Sequence, residues 1–142
     1  MEPLVNANLS SALPRDFHGS CHCGAIQFRV QVTQLKAIEC NCSICNKKGF
    51  LHLIVPPEQF ELLQGEDALT LYTFNTGTAK HLFCRICGMH PFYRPRSHPN
   101  HFDVNLRCLD DEPLDRLLQQ FEIESFNGQH WEQNIHHIVE DT

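Results

Sequence analysis

Seven of the eight cysteines fall in three tight groups: Cys21-His-Cys23, Cys40-Asn-Cys42-Ser-Ile-Cys45 and Cys84-Arg-Ile-Cys87. Two thiolates on one sharp turn can reach a single ion at about 2.3 Å while a distant pair completes a tetrahedral shell, so this clustering ties the fold to metal centres. Zinc is favoured as the redox-silent choice, because four-cysteine iron-sulfur patterns space their ligands differently. The first twenty residues lack a basic start followed by an apolar stretch, so no secretory or transit signal is expected. A reducing, cytoplasmic setting follows as the expectation, in which thiols stay free or bind metal rather than pair as disulfides.

Gly24 follows Cys23 and Gly88 follows Cys87. Both glycines can take positive φ, which turns the chain sharply and aims backbone N–H groups at sulfur. These two knuckles predict a closed, structural four-thiolate zinc held by Cys21, Cys23, Cys84 and Cys87. Cys40, Cys42 and Cys45 supply only three ligands, and three protein ligands with one free position is the economy of a catalytic zinc. Zinc with three thiolates carries a formal charge of about −1, which suits an incoming thiol or a mildly polarised oxygen better than hydroxide generation. The competing expectation is a second structural zinc, closed by His52 or His81. Cys108 stands alone and reads as a packed small hydrophobe. His22 reads as solvent-facing, His136 and His137 as surface residues, and Lys47-Lys48 as a solvated face.

The chain of 142 residues is a prior for one domain, and no run of about 18 apolar residues exists to cross a membrane as a helix. Residues 1–16 read as a loose lead-in and 17–142 as a single zinc-binding domain. Ile26, Phe28, Val30 and Val32 alternate with polar residues, the period-two signature of a half-buried strand. Further strands are expected at 50–55, 69–74, 81–83, 91–93 and 102–106, each bounded by turn residues. A helical turn started by Pro56-Pro57 and running through Phe60, a hairpin turn at Asn75-Thr76-Gly77, a short helix at 114–120 and an amphipathic C-terminal helix through Trp131, Ile135, Ile138 and Val139 complete a mainly β reading. The formal net charge of −6 gives no electrostatic reason to hold nucleic acid or an anionic membrane surface.

The segments GSCHCGAIQF, CNCSICNKKG, FCRICGMHPFYRPRS and NLRCLDD resemble the glutathione-dependent formaldehyde-activating enzyme family. YTFN, PRS, CLD and the late FNG-x-x-W-E pattern are similar to its centromere protein V branch, and the resemblance covers roughly residues 17–138. It implies a mainly β, Mss4-like fold with two zinc ions, structural on Cys21, Cys23, Cys84 and Cys87 and catalytic on Cys40, Cys42 and Cys45. It also implies a carbon-sulfur lyase acting on a thiol adduct such as S-hydroxymethylglutathione. The basic, Pro-rich region of the centromere branch is not among these residues, and with it goes the main reason to expect chromatin or microtubule partners.

The expected chemistry is that a thiol loses its proton at the open zinc position and attacks, or is expelled from, a small carbonyl carbon. His52, His81, His90 and Asp103 are candidate acid-base groups, and Arg94, Arg96 and Arg107 could hold a carboxylate through forked hydrogen bonds. The alternative is a zinc-stabilised protein-binding module without catalysis, with Pro91 to Arg96 as its contact strip. Thiol-disulfide redox chemistry is disfavoured, since bound metal would quench the thiols it needs.

Overall fold

The protein is described by a computed structural model over residues 13–127 apart from residue 75. Among these residues the strands are β1 (Arg15–Ser20), β2 (Gln27–Val32), β3 (Lys36–Cys40), β4 (Leu51–Val55), β5 (Phe60–Gln64), β6 (Leu69–Tyr72), β7 (Lys80–Cys84), β8 (Phe92–Arg94), β9 (Phe102–Asn105) and β10 (Glu122–Phe126). Two short helices, α1 (Ser43–Lys48) and α2 (Leu114–Gln120), accompany them. The chain is therefore mainly β, as its short, turn-bounded apolar segments predict. The helix expected at 131–139 lies outside the described residues.

One sheet has the order β1-β2-β5 and the other β10-β3-β4-β9-β8-β7-β6. Pairing is antiparallel except for β10, which runs parallel to β3. β2 is the central strand of the small sheet, and Phe28, Val30 and Val32 face inward on it behind buried Ile26. Its alternation was readable because one face meets the core and the other meets water. The two sheets meet through aromatic rings: Phe28 lies 5.7 Å from Phe60 and 5.8 Å from Phe92, and Phe60 stacks on Phe102 at 4.2 Å. Gly19 on β1 is required by that packing, since a Cβ there would stand 2.3 Å from the Phe28 ring and 2.8 Å from the Cys108 carbonyl oxygen.

Several details differ from the sequence reading. β1 begins at Arg15, ahead of Phe17, so Arg15 and Asp16 belong to the sheet rather than to the lead-in. The strands β1, β3, β5 and β10 and the helix α1 carried no clear periodic signal. Of the expected Asn75-Thr76-Gly77 turn, Thr76 and Gly77 lie in the connection of an antiparallel β6–β7 hairpin, with Gly77 at φ 75°, and Asn75 lies outside the described residues. Pro91 to Arg96 is not an exposed contact strip: β8 sits between β7 and β9, and Pro91, Phe92 and Tyr93 are buried.

Candidate functional site

Paired residues on neighbouring strands share a sheet face, so the register of the large sheet defines its two surfaces. Leu53, Val55, Phe92 and Val104 point to the core. On the other face the pairings Ile38↔His52↔Asn105 and Ile54↔Asp103↔Tyr93↔His81↔Tyr72 form two rows across the strands. Cys40 follows Ile38 by two residues and lies on that same face at the end of β3. This face floors a cleft of about 770 Å³, whose lining includes Cys40, Cys42, Cys45, His52, His81, Tyr93 and Asp103.

The three cysteines converge because β3 runs directly into α1. Cys42 is the N-cap of that helix and its Sγ accepts from the Cys45 backbone N–H at 3.5 Å. Gly49 closes the helix at φ 68°, its N–H donating to the Cys45 carbonyl at 2.9 Å. The three sulfurs lie within 4.8 Å of one another, and among the described residues no histidine or carboxylate joins them at that range. His52 and His81, the expected closing ligands, line the cleft but stand outside the group. Protons are shared unequally in this trio: Cys42 accepts S–H bonds from Cys40 and Cys45 and is pulled down to about 2, while Cys40 is pushed up to about 11. This sharing favours the thiolate form on Cys42, the form a metal ion needs.

The second group brings Cys21 and Cys23, from the β1–β2 turn, to Cys84 and Cys87, at the β7–β8 turn, with all four sulfurs within 4.8 Å. A tetrahedral ion with bonds of about 2.3 Å holds its sulfurs about 3.8 Å apart. The Cys21–Cys23 and Cys23–Cys84 sulfurs stand at 3.6 and 3.7 Å, so the group fits such an ion without rearrangement. Gly24 and Gly88 take φ of 83° and 79°, and the N–H groups of Ile26 and Ile86 point at the sulfurs of Cys21 and Cys84 at 3.3 and 3.4 Å. All eight cysteines are free of disulfides. Cys108 is buried, pushed up to about 12 by that burial, and packs as the small hydrophobe its isolation suggested.

Inside the cleft, His52 Nδ1 and Asp103 Oδ2 are 2.6 Å apart and both side chains are buried. The Tyr93 hydroxyl lies 3.4 Å from the same nitrogen. His81 stacks between Tyr93 at 4.8 Å and Phe74 at 5.4 Å. Burial and the neighbouring Lys48 charge bring His81 down to about 4, so it is neutral near pH 7. Its Nδ1 is 3.4 Å from Lys48 Nζ and can accept from it. His90, by contrast, is not part of the cleft lining and packs on Phe83 at 5.4 Å. His52, His81 and Asp103 sit within strands rather than at their ends.

Lys48 overturns its expected place on a solvated face. Its ammonium lies 4.8 Å from the centres of both the Phe50 and Tyr93 rings, a cation-π arrangement that holds the side chain inward. Burial lowers its pKa, opposed by the negative charge of Cys45, Asp103 and Cys42. Lys47 remains exposed. Of the three arginines, Arg96 lines the cleft, Arg94 stacks over the Phe102 ring at 4.2 Å, and Arg107 lines a smaller pocket behind Cys40 and Cys45. Tyr93 and Phe74 were missed as cleft residues and Lys48 as the neighbour of Tyr93, and a signal for Lys48 existed only in its spacing from Cys45 along one helical turn.

The profile of the glutathione-dependent formaldehyde-activating enzyme family matches residues 16–126. The chain belongs to that family. The matched span contains both cysteine groups and the whole cleft floor. A solved structure of a Rhodobacter sphaeroides protein is similar at 34% identity and a TM-score of 0.68, covering 76% of this chain and 98% of that one. The mainly β architecture is therefore shared by this chain and that structure, while the match does not single out the centromere protein V branch.

Proposed function

We propose that the protein is a zinc-dependent carbon-sulfur lyase acting on the adduct of a thiol with a small carbonyl compound, of the S-hydroxymethylglutathione kind. The observation that carries this reading is the three-cysteine group without a fourth protein ligand, opening on the cleft. Cys40, Cys42 and Cys45 would hold the catalytic ion, and Cys21, Cys23, Cys84 and Cys87 the structural one. A zinc ion at the open group supplies a position where a thiol sulfur is stabilised as thiolate, a better nucleophile in one direction and a better leaving group in the other.

The chain's own groups prepare the cleft for that sulfur. Three thiolates are strongly negative together, and the Lys48 ammonium, anchored over Phe50 and Tyr93, offsets part of that charge from the protein side. Arg96 and Lys47 on the cleft lining offer forked or point-charge partners for the carboxylates of a peptide-like thiol. The family description supports glutathione as that thiol.

Cys45→Ala tests the reading. Elemental analysis should fall from two zinc equivalents per chain to one, adduct cleavage should be lost, and the far-ultraviolet circular dichroism should be unchanged. Cleavage at the wild-type rate in that variant would refute the scheme.

A further inference from the structure

His52 combines a carboxylate on one ring nitrogen with a bare second nitrogen in a residue that lines the cleft. Its Nδ1 is bound to Asp103, yet its Nε2 is buried with no hydrogen-bond partner among the described residues, and so is Asp103 Oδ1. An unpaired buried polar atom is costly and native folds keep few of them; His90 Nδ1, outside the cleft lining, is the third among the described residues, and only the His52–Asp103 pair joins two of them in one hydrogen-bonded unit on the cleft. Both residues line the cleft, Asp103 in the register row that reaches Tyr93 and His81 and His52 in the neighbouring row. Asp103 as a carboxylate can only accept, so Nδ1 carries the shared proton and Nε2 presents a lone pair. The pairing is reinforced from the backbone: His52 and Asp103 lie diagonally across the β4–β9 ladder, and Asn105, opposite His52, is occupied elsewhere, accepting from the Leu51 and Arg107 N–H groups.

We propose that His52 is the proton-transfer residue of this cleft and Asp103 the positioning residue that fixes its tautomer, an inference that rests on the lyase reading above. In the direction of adduct formation, Nε2 takes the thiol proton and the sulfur electron pair forms the S–C bond. The C=O π pair moves to oxygen, which then takes the proton from Nε2. Cleavage runs through the same transfers in reverse, with no oxidant or further reactant. A substrate in the cleft supplies the partner that Nε2 lacks, and the contact forms when the substrate is in place.

The test uses the zinc-replete full chain, His52→Gln and Asp103→Asn. Exchange NMR measures how fast each interconverts glutathione plus formaldehyde with the adduct, zinc content is determined in parallel, and titration with the unreactive S-methylglutathione gives affinity. His52→Gln should lose about 100-fold or more of the rate, the scale of acid-base catalysis, with zinc content and affinity retained. Asp103→Asn should lower kcat with little change in KM. Nitrogen-15 shifts of the wild-type His52 ring, assigned by their disappearance in His52→Gln, should show the proton on Nδ1 and a free Nε2 that responds to S-methylglutathione. An unaltered rate in His52→Gln overturns the proposal. If the wild type itself gives no acceleration, the lyase reading falls and the ring shifts alone decide: a proton on Nε2 overturns the assignment, and a proton on Nδ1 that moves in Asp103→Asn sustains it. Should either variant fail to fold, the wild-type ring is assigned instead by through-bond correlation to its own backbone, and a proton on Nε2, or an Nε2 unmoved by S-methylglutathione, then overturns the proposal.

Discussion

Each cleft residue is governed by what surrounds it rather than by its type. His81, flanked by two rings and a lysine, stays neutral down to about pH 4. An unfolded chain takes up that proton near its ordinary 6.5, so the unfolded form binds more protons between these values and stability falls as the pH drops from 6.5 toward 4. Above 6.5 the contribution is fully present. The shift corresponds to on the order of 3 kcal/mol between the two ends of that window. Denaturant melts of the wild type and His81→Gln across it should converge as the pH falls, because Gln has no proton to take up. At this scale the cysteines were legible, since metal-ligand spacing survives any fold, and so were His52, His81 and Asp103 as polar residues among apolar strand neighbours. Lys48 was not: its partners Tyr93 and Phe50 meet it only when β8 and β4 pair with their neighbours.

Among the elements, β1 and α2 are fastened by one polar cluster. Arg15 donates to Gln120 Oε1 at 3.0 Å and ion-pairs with Glu112, which also accepts from Gln120 Nε2 at 2.6 Å. Burial works to raise the Glu112 carboxyl, but the bonds from Arg15 and Gln120 outweigh it and hold it below the ordinary carboxylate value. The stabilisation is therefore present above the unfolded carboxylate pKa and is lost as acid passes through the depressed folded one. Glu112→Gln should cost about 1–3 kcal/mol at neutral pH and almost nothing in strong acid, as read by chemical denaturation at both. Elements whose two faces differ were readable, as β2 shows. β3 and β10 were not, because they are short and pair in parallel across a long connection, and α1 owes its single turn and a half to a cysteine cap and a left-handed glycine rather than to periodicity.

For the molecule as a whole, the two cysteine groups do different mechanical work. An ion held by the four-sulfur group would join turns 61 residues apart, from Cys23 to Cys84, and so link the small sheet to the large one. Closing a loop of that length removes about 4 kcal/mol of chain entropy from the unfolded state, by the same reasoning that applies to a disulfide. Stepwise chelation should accordingly give two separate events. The first equivalent should leave with cleavage activity lost and the melting temperature little changed, and the second should carry a large drop in that temperature. Simultaneous loss of both, followed by calorimetry and a colorimetric zinc probe, would contradict this division.

The three-sulfur group is written into one uninterrupted stretch from Cys40 to Cys45, anchored by a strand end and one helical cap. On the proposed reading, the ligands of the reactive ion form a short cassette laid on a scaffold that holds itself together by other means. A single codon change could silence such a cassette while the scaffold persists, so sister chains with the same architecture and no chemistry would be a natural product of this design, and regrafting six residues should restore the ion to one that keeps His52 and Asp103.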